Sequence, residues 1–359
     1  MEGIIDGQER IELMKQEQEY IVAGYVVDSK LSEMTQEDLN KLTHLNVAFG
    51  HVREDKICTD HMKHMDLLQE IKRDHPELNL LLSVGGWSAG GFSEAAATEA
   101  GRERMADSAI RVLIDYPFDG IDLDWEYPCY GEADIHSSPE DKTNFTLLLK
   151  KMREALDRKG GQDGRHYLLT IAAGADQYYV DGTEMDLVQQ YLDFVQLMTY
   201  DMRGGFQTLT GHHTNLFTPT GDLFRISTDA SVNLFIRAGV PREKIVIGAA
   251  FYSRIWHQVP DRNNGLLQMA GSTGGYGPDF TALSADYINK NGYTRYWDSE
   301  ACAPFLFNGS SLISYDDEES LLHKCDYVKN NSLAGVMFWE YSCDGTHRLL
   351  DTIHKGLKA

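Results

Sequence analysis

Four carboxylates and a tryptophan crowd the ten residues DGIDLDWEYP, Asp119 to Pro128, a stretch that otherwise reads as a buried strand. Acids side by side repel one another and each costs desolvation, so a chain selected for packing alone avoids the arrangement. A two-residue period sorts them. Ile121, Leu123 and Trp125 share one parity and Asp122, Asp124 and Glu126 the other, giving an apolar face and an acidic face. Asp119 breaks the parity: either Gly120 makes a bulge that turns it inward, or it faces the other way and caps a neighbouring backbone. A hard-cation site is the competing chemistry for so many oxygens. Calcium loops, however, use turn-forming glycine and solvated flanks, whereas these acids alternate with Ile, Leu and Trp.

The elements that must position this strand recur along the chain. Short aliphatic runs, each followed by a longer stretch with helical spacing, give eight β/α units. The strands are expected at Ile21 to Val27, His44 to Phe49, Leu80 to Val84, Gly120 to Trp125, Tyr167 to Ala172, Phe194 to Thr199, Ile245 to Ala250 and Leu333 to Phe338. Helices are expected at His64 to Asp74, Arg102 to Ile114, Asp141 to Asp157, Thr228 to Ala238 and Arg348 to Leu357. This alternation predicts an α/β chain folded as a closed parallel (β/α)8 TIM barrel. A doubly wound sheet is disfavoured because no G-x-G-x-x-G follows the first strand. The segment between the last two strands is too long for a loop and carries its own turns, β-branched pieces and a helix from Glu318 to Val328. It reads as a small α+β insertion over residues 252–330. The barrel then takes 20–251 and 331–359, and residues 1–19 form a polar N-terminal extension.

In such a barrel, chemistry sits at the C-terminal ends of the strands. The second strand ends with Phe49, the third with SVGGW (Ser83 to Trp87), the sixth with QLMTYD (Met198, Tyr200, Asp201) and the eighth with MFWEY, which holds Trp339. Aromatic planes and carboxylates at one rim suit a sugar, whose ring faces stack while its hydroxyls and amides hydrogen-bond.

DGIDLDWEYP fits the D-x-x-D-x-D-x-E signature of glycoside hydrolase family 18, the chitinase family, and SVGGW, QLMTYD and AGVMFWEY resemble its other blocks in the same order. The resemblance covers nearly the whole chain, including the insertion before the last strand. One departure is Tyr252-Ser253-Arg254, where the family usually has Y-G-R. The resemblance implies a chitinase that cleaves β-1,4 links between N-acetylglucosamine units with retention. Glu126 is the implied general acid, and the substrate's own N-acetyl oxygen attacks in place of a protein nucleophile. Asp124 would hold the acetamido N–H, Asp122 would share a proton with Asp124, and Tyr200 would donate to the acetamido oxygen. Asp201 would bond the sugar or orient Glu126, with Trp339 as the floor. Met198, Tyr25, Phe49 and Ser83 would complete the wall, and Trp87, Tyr252 and Arg254 would add substrate contacts.

Composition narrows the partners. The 359 residues carry 33 basic against 55 acidic side chains, a net charge of −22, which repels nucleic-acid phosphates and anionic membrane surfaces. No segment approaches the roughly 20 apolar residues that span a bilayer. Five scattered cysteines without a C-x-x-C pair are expected as free thiols. Cys58, Asp60, His61 and His64 could be drawn as metal ligands, but they lack a defined zinc spacing and read as a solvated helix start. His212 and His213 read as a loop pair. No cofactor or metal is expected, the partner is chitin or an N-acetylglucosamine oligosaccharide, and a monomer is expected. With a polar, acidic start and no export signal, the chain reads as cytoplasmic as it stands, and as secreted if a signal was removed. Two rivals remain: an endo-β-N-acetylglucosaminidase acting on glycans or peptidoglycan, and a noncatalytic chitin-binding lectin. Family lectins typically lose the acid that Glu126 supplies here.

Overall fold

The computed structural model describes residues 20–358; the expected extension over residues 1–19 lies outside the described residues. Eight parallel strands close on themselves. In chain order they are β1 (Ile21–Val27), β2 (His44–Arg53), β4 (Asn79–Gly85), β5 (Gly120–Asp124), β6 (Leu168–Gly174), β7 (Phe194–Met198), β8 (Ile245–Ala250) and β14 (Gly335–Trp339). β1 pairs with both β2 and β14, which shuts the barrel. Such strands are covered on both faces, which is why they read as continuous apolar runs; IVIGAA of β8 is buried throughout.

The two faces of β5 divide as their parity predicts. Ile121, Leu123 and Trp125 belong to the layer between barrel and helices, where Phe92 stacks on Trp125 at 5.4 Å and Phe145 meets it edge-on. Asp122, inside the barrel, meets hydroxyls and an amide from neighbouring strands. Asp119 takes the second of its two alternatives. It lies at the opposite end of β5 from Glu126, where its carboxylate accepts the Leu80 N–H and the Lys72 ammonium, each at 2.8 Å, and pairs with Arg165.

β2 runs beyond its expected end at Phe49, through Arg53, and turns back through Glu54 (φ 49°) and Asp55 (φ 59°) into β3 (Lys56–Cys58). Two successive left-handed residues make the tight turn that joins antiparallel strands, and Glu-Asp is a weak signal for it. The supposed metal ligands beyond it disperse: His61 bonds the Phe49 carbonyl oxygen at 2.8 Å and His64 bonds Asp28.

Between β8 and β14 lies an antiparallel sheet of β9 (Tyr252–His257), β10 (Gly275–Asp279), β11 (Thr294–Asp298), β12 (Ala303–Phe307) and β13 (Ser311–Ser314), ordered β10-β9-β13-β12-β11. Its own core holds Trp256, Phe305, Phe307 and Leu312. The helix Glu318–Asn330 follows, started by a capping box between Asp317 and Ser320. It packs on the C-terminal helix Arg348–Lys358, with Cys325 against Gly356, so by packing it goes with the barrel although its position groups it with the insertion. From this helix the fully buried Lys324 reaches Asp316 and Thr214, both at 2.6 Å, while Asp316 accepts the Ala250 N–H at the end of β8. Removing one partner strands the other charge in the interior. Lys324→Met is therefore expected to lower stability by about 3–5 kcal/mol. Urea unfolding checks this, and an unchanged midpoint would show that Asp316 finds its proton or its water elsewhere. Among the described residues no helix is long and apolar enough to cross a membrane.

Candidate active site

A cavity of about 1240 Å³ opens at the C-terminal ends of the strands. Asp124, Glu126, Met198, Tyr200, Asp201 and Trp339 line its floor and walls with Phe49, Trp87, Tyr252 and Arg254. Parity in β5 and the β7 end carries these polar groups to one place, because every strand delivers its last inward residue to the same rim.

Asp122 lies one layer down. Its Oδ1 accepts from Thr170 (2.6 Å) and Gln196 (2.9 Å), and its Oδ2 from Ser83 (2.8 Å) and Tyr25 (2.9 Å). Burial pushes its pKa up, and these four hydrogen bonds pull it back. Four donors from β1, β4, β6 and β7 occupy both oxygens of Asp122, and among the described residues no hydrogen bond joins it to Asp124. Tyr25 and Ser83 change place. Expected on the wall, both are buried beneath the cavity and point their hydroxyls at Asp122.

Asp124 is buried, and among the described residues its Oδ1 has no hydrogen-bond partner. Burial, then the charges of Glu126 and Asp122, hold its pKa well above the usual carboxylate range. Glu126 is half-buried, and its pKa is pushed up to about 7, foremost by burial, with hydrogen bonding to Tyr127 opposing and the charge of Asp201 adding. Two adjacent carboxyls thus resist ionising together, and the one that keeps its proton has the environment a general acid needs near neutrality.

Asp201 is the opposite case. Burial would raise its pKa, but its contacts with His213 and Arg254, the latter through its charge and two hydrogen bonds, overcome that and hold it well below the ordinary range. Arg254 grips it with two parallel bonds of 2.6 Å and lies flat on the Tyr276 ring, 3.9 Å from its centroid. Ser253, where the family resemblance expects glycine, does not keep Arg254 away. Ser253 donates to the Pro278 carbonyl oxygen at 2.6 Å, and Gly277 leaves room for it: a Cβ there would lie 2.4 Å from the serine oxygen.

Trp339 stacks on Phe49 at 5.4 Å and tilts against Tyr25 at 5.7 Å, presenting a flat apolar surface. Beside Asp124 and Glu126, the Tyr200 hydroxyl donates to the Met337 sulfur at 3.8 Å, a weak acceptor that a stronger one in the cavity can replace. Trp87 is half-exposed at the mouth, 6.5 Å from both Tyr127 and Phe206.

Several participants escape the sequence reading. Thr170 and Gln196 were visible as lone polar residues inside LLTIAAG and FVQLM, on strand faces that only the closed barrel brings to Asp122. Tyr276 and Phe206 come from the insertion and a loop, where no periodicity says which way a side chain faces. Among the described residues no cluster of three or more His, Cys, Asp or Glu is arranged to hold a metal ion.

Comparison with known proteins places this geometry. The family model described as glycosyl hydrolases family 18 matches residues 21–344. Chitinase A1 of Niallia circulans is 42% identical over 309 residues, which cover 81% of this chain and 44% of that relative, so the chain spans less than half of its length. The solved structure of a glycoside hydrolase family 18 N-acetylglucosaminidase from Paenibacillus barengoltzii superimposes with a TM-score of 0.94 at 71% identity, covering 94% of this chain and all of that one. A class V chitinase from Nicotiana tobaccum, solved as a mutant in complex with NAG4, matches with a TM-score of 0.84 at 26% identity over 95% of this chain and 99% of its own. With the family model matched over residues 21–344, this chain belongs to glycosyl hydrolases family 18.

Proposed function

We propose that this protein hydrolyses β-1,4 links between N-acetylglucosamine units of chitin or its oligosaccharides by a retaining, substrate-assisted mechanism. The observation that carries the reading is the pair Asp124 and Glu126: two carboxyls at one cavity wall that resist ionising together, so that one keeps a proton while the other bears the charge, and among the described residues Asp124 Oδ1 is buried without a partner. Glu126, protonated below about pH 7, gives its proton to the glycosidic oxygen. The substrate's acetamido oxygen attacks the anomeric carbon as the leaving group departs. Asp124 Oδ1 accepts the acetamido N–H, fixing the oxygen in line, and its negative charge offsets the oxazolinium cation as that forms. Tyr200 donates to the acetamido oxygen, and Trp339 supports the apolar face of the distorted ring. Glu126, now a carboxylate, takes a proton from the water that opens the ring. Asp122, locked in its cage, supplies a fixed charge under Asp124, with Tyr25 and Ser83 acting through it.

A second reading shares the chemistry and differs in the cut: release of single N-acetylglucosamine units from short oligomers. The 71% identity to the Paenibacillus barengoltzii N-acetylglucosaminidase over that protein's full length favours it. Incubation with N-acetylglucosamine oligomers of graded length separates the readings. Disaccharide as the first product from a tetramer supports the chitinase; monosaccharide from every length, dimer included, supports the glucosaminidase. Tight binding without any cleavage would leave the lectin.

A further inference from the structure

One fully buried titratable side chain beside the cavity takes no part in these steps: His213. It lies where the loop after β7 folds back on itself, its carbonyl oxygen accepting the Met202 N–H at 3.1 Å. Its own N–H donates to Ser314 Oγ of β13 at 2.9 Å, and its ring meets Tyr252 of β9 edge-on at 5.3 Å. Nδ1 accepts the Asp201 N–H at 3.4 Å and lies 3.6 Å from Asp201 Oδ1, while among the described residues buried Nε2 has no partner.

Asp201 needs such support. Its φ of 55° is left-handed, a region that aspartate tolerates better than most side chains but that still gains from a partner holding the backbone there. Arg254 fixes its carboxylate, and His213 is the group that fixes its backbone. We infer that His213 is a positioning residue: by accepting the Asp201 N–H it keeps Asp201 in the left-handed turn that sets its carboxylate against Arg254 and alongside Glu126. This rests on the reading of Glu126 as the acid.

The ring is held neutral for the same purpose. Burial disfavours its charged form and outweighs the contact and charge of Asp201 after β7, which oppose; the charge of Arg254 adds to burial, and Asp316 after β13 opposes. A neutral ring with Nδ1 as acceptor carries its proton on Nε2.

The consequence is a pH-dependent effect. The charge of Asp201 helps Glu126 keep its proton, so an Asp201 released from its turn lets that proton go at lower pH. His213→Leu, which fills the space without an acceptor, is expected to move the upper limb of the kcat/KM profile on chitin oligomers down by about one pH unit. For an acid half-protonated at pH 7, that shift cuts the protonated fraction to about a tenth, a roughly fivefold loss there and little loss at pH 5. His213→Asn, which returns an acceptor near Nδ1, is expected to restore the limb. An equal loss at every pH, or no loss, would overturn the proposal by making His213 a packing residue. Nitrogen NMR of the wild-type ring tests it without any variant: Nδ1 unprotonated and Nε2 protonated from pH 5 to 8 supports it, and a charged ring or the other tautomer overturns it. Glu126→Gln separates the two readings. Full turnover by that variant would overturn the acid assignment and this proposal together. An inactive Glu126→Gln beside an unmoved His213→Leu limb overturns this proposal alone.

Discussion

Glu126→Gln is expected to lower kcat on N-acetylglucosamine oligomers by at least about a hundredfold while leaving their binding nearly unchanged. The amide is close in shape to the carboxyl, and the stacking surface of Trp339, the Tyr200 hydroxyl and the Asp201–Arg254 pair all remain. What disappears is the proton. The same reasoning fixes the wild-type pH profile. Glu126 must be protonated to act and its pKa is pushed up to about 7, so activity is present below that value and falls as pH rises through it. An ordinary glutamic acid would already be spent near pH 4–5. Steady-state kinetics across pH, with oligomer binding measured by calorimetry, check both parts. Near wild-type turnover in the variant would remove Glu126 from the acid role, and residual activity that kept the same upper limb would assign that limb to another group.

The fold was legible because the barrel's own strands are continuous apolar runs set between helical spacings, and a strand buried on both faces leaves few other readings. The acidic strand was legible for a related reason: alternation assigns Asp122, Asp124 and Glu126 to one face whatever surrounds them. What alternation does not say is depth. Asp122, Asp124 and Glu126 share a face, yet the first is caged inside the barrel and the last stands at the wall of the cavity, so Tyr25 and Ser83, at the level of Asp122, lie beneath it. Asp119 was ambiguous because a single break in parity fits both a bulge and a reversal; its partners Lys72 and Arg165 lie 47 and 46 residues away, and only the fold brings them in. His213 is, in the sequence, one of a loop pair; its burial depends on the sheet that covers it, here through Ser314 of the insertion. Tyr276 reached the site by cross-strand register with Arg254, which no local pattern announces.

Removing the nucleophile from the substrate is expected to have the largest effect, since the carboxylate oxygen beside the acid that is unpartnered among the described residues, Asp124 Oδ1, is assigned to the acetamido N–H. Asp122 has both oxygens occupied by four donors beneath the cavity, and Asp201 is clamped by Arg254; this leaves Asp124, whose free Oδ1 is suited to receive an N–H. Oligomers deacetylated at the sugar on the non-reducing side of the cut should therefore resist cleavage at that link, while links after acetylated sugars are cut normally. Asp124→Asn should fall by about a hundredfold or more in kcat, because an amide cannot offset the charge of the oxazolinium ion. Two displacements at the anomeric carbon, by the acetamido oxygen and then by water, leave the configuration retained, so the first product should be the β-anomer. Proton NMR recorded before mutarotation reads the anomer, and product mapping of partly deacetylated oligomers reads the requirement. An α-anomer would mean that water attacks directly, with Asp124 as its base. Ready cleavage after a deacetylated sugar, with retention, would instead make Asp124 a covalent nucleophile, and its unpartnered oxygen would then be waiting for the anomeric carbon rather than for an N–H.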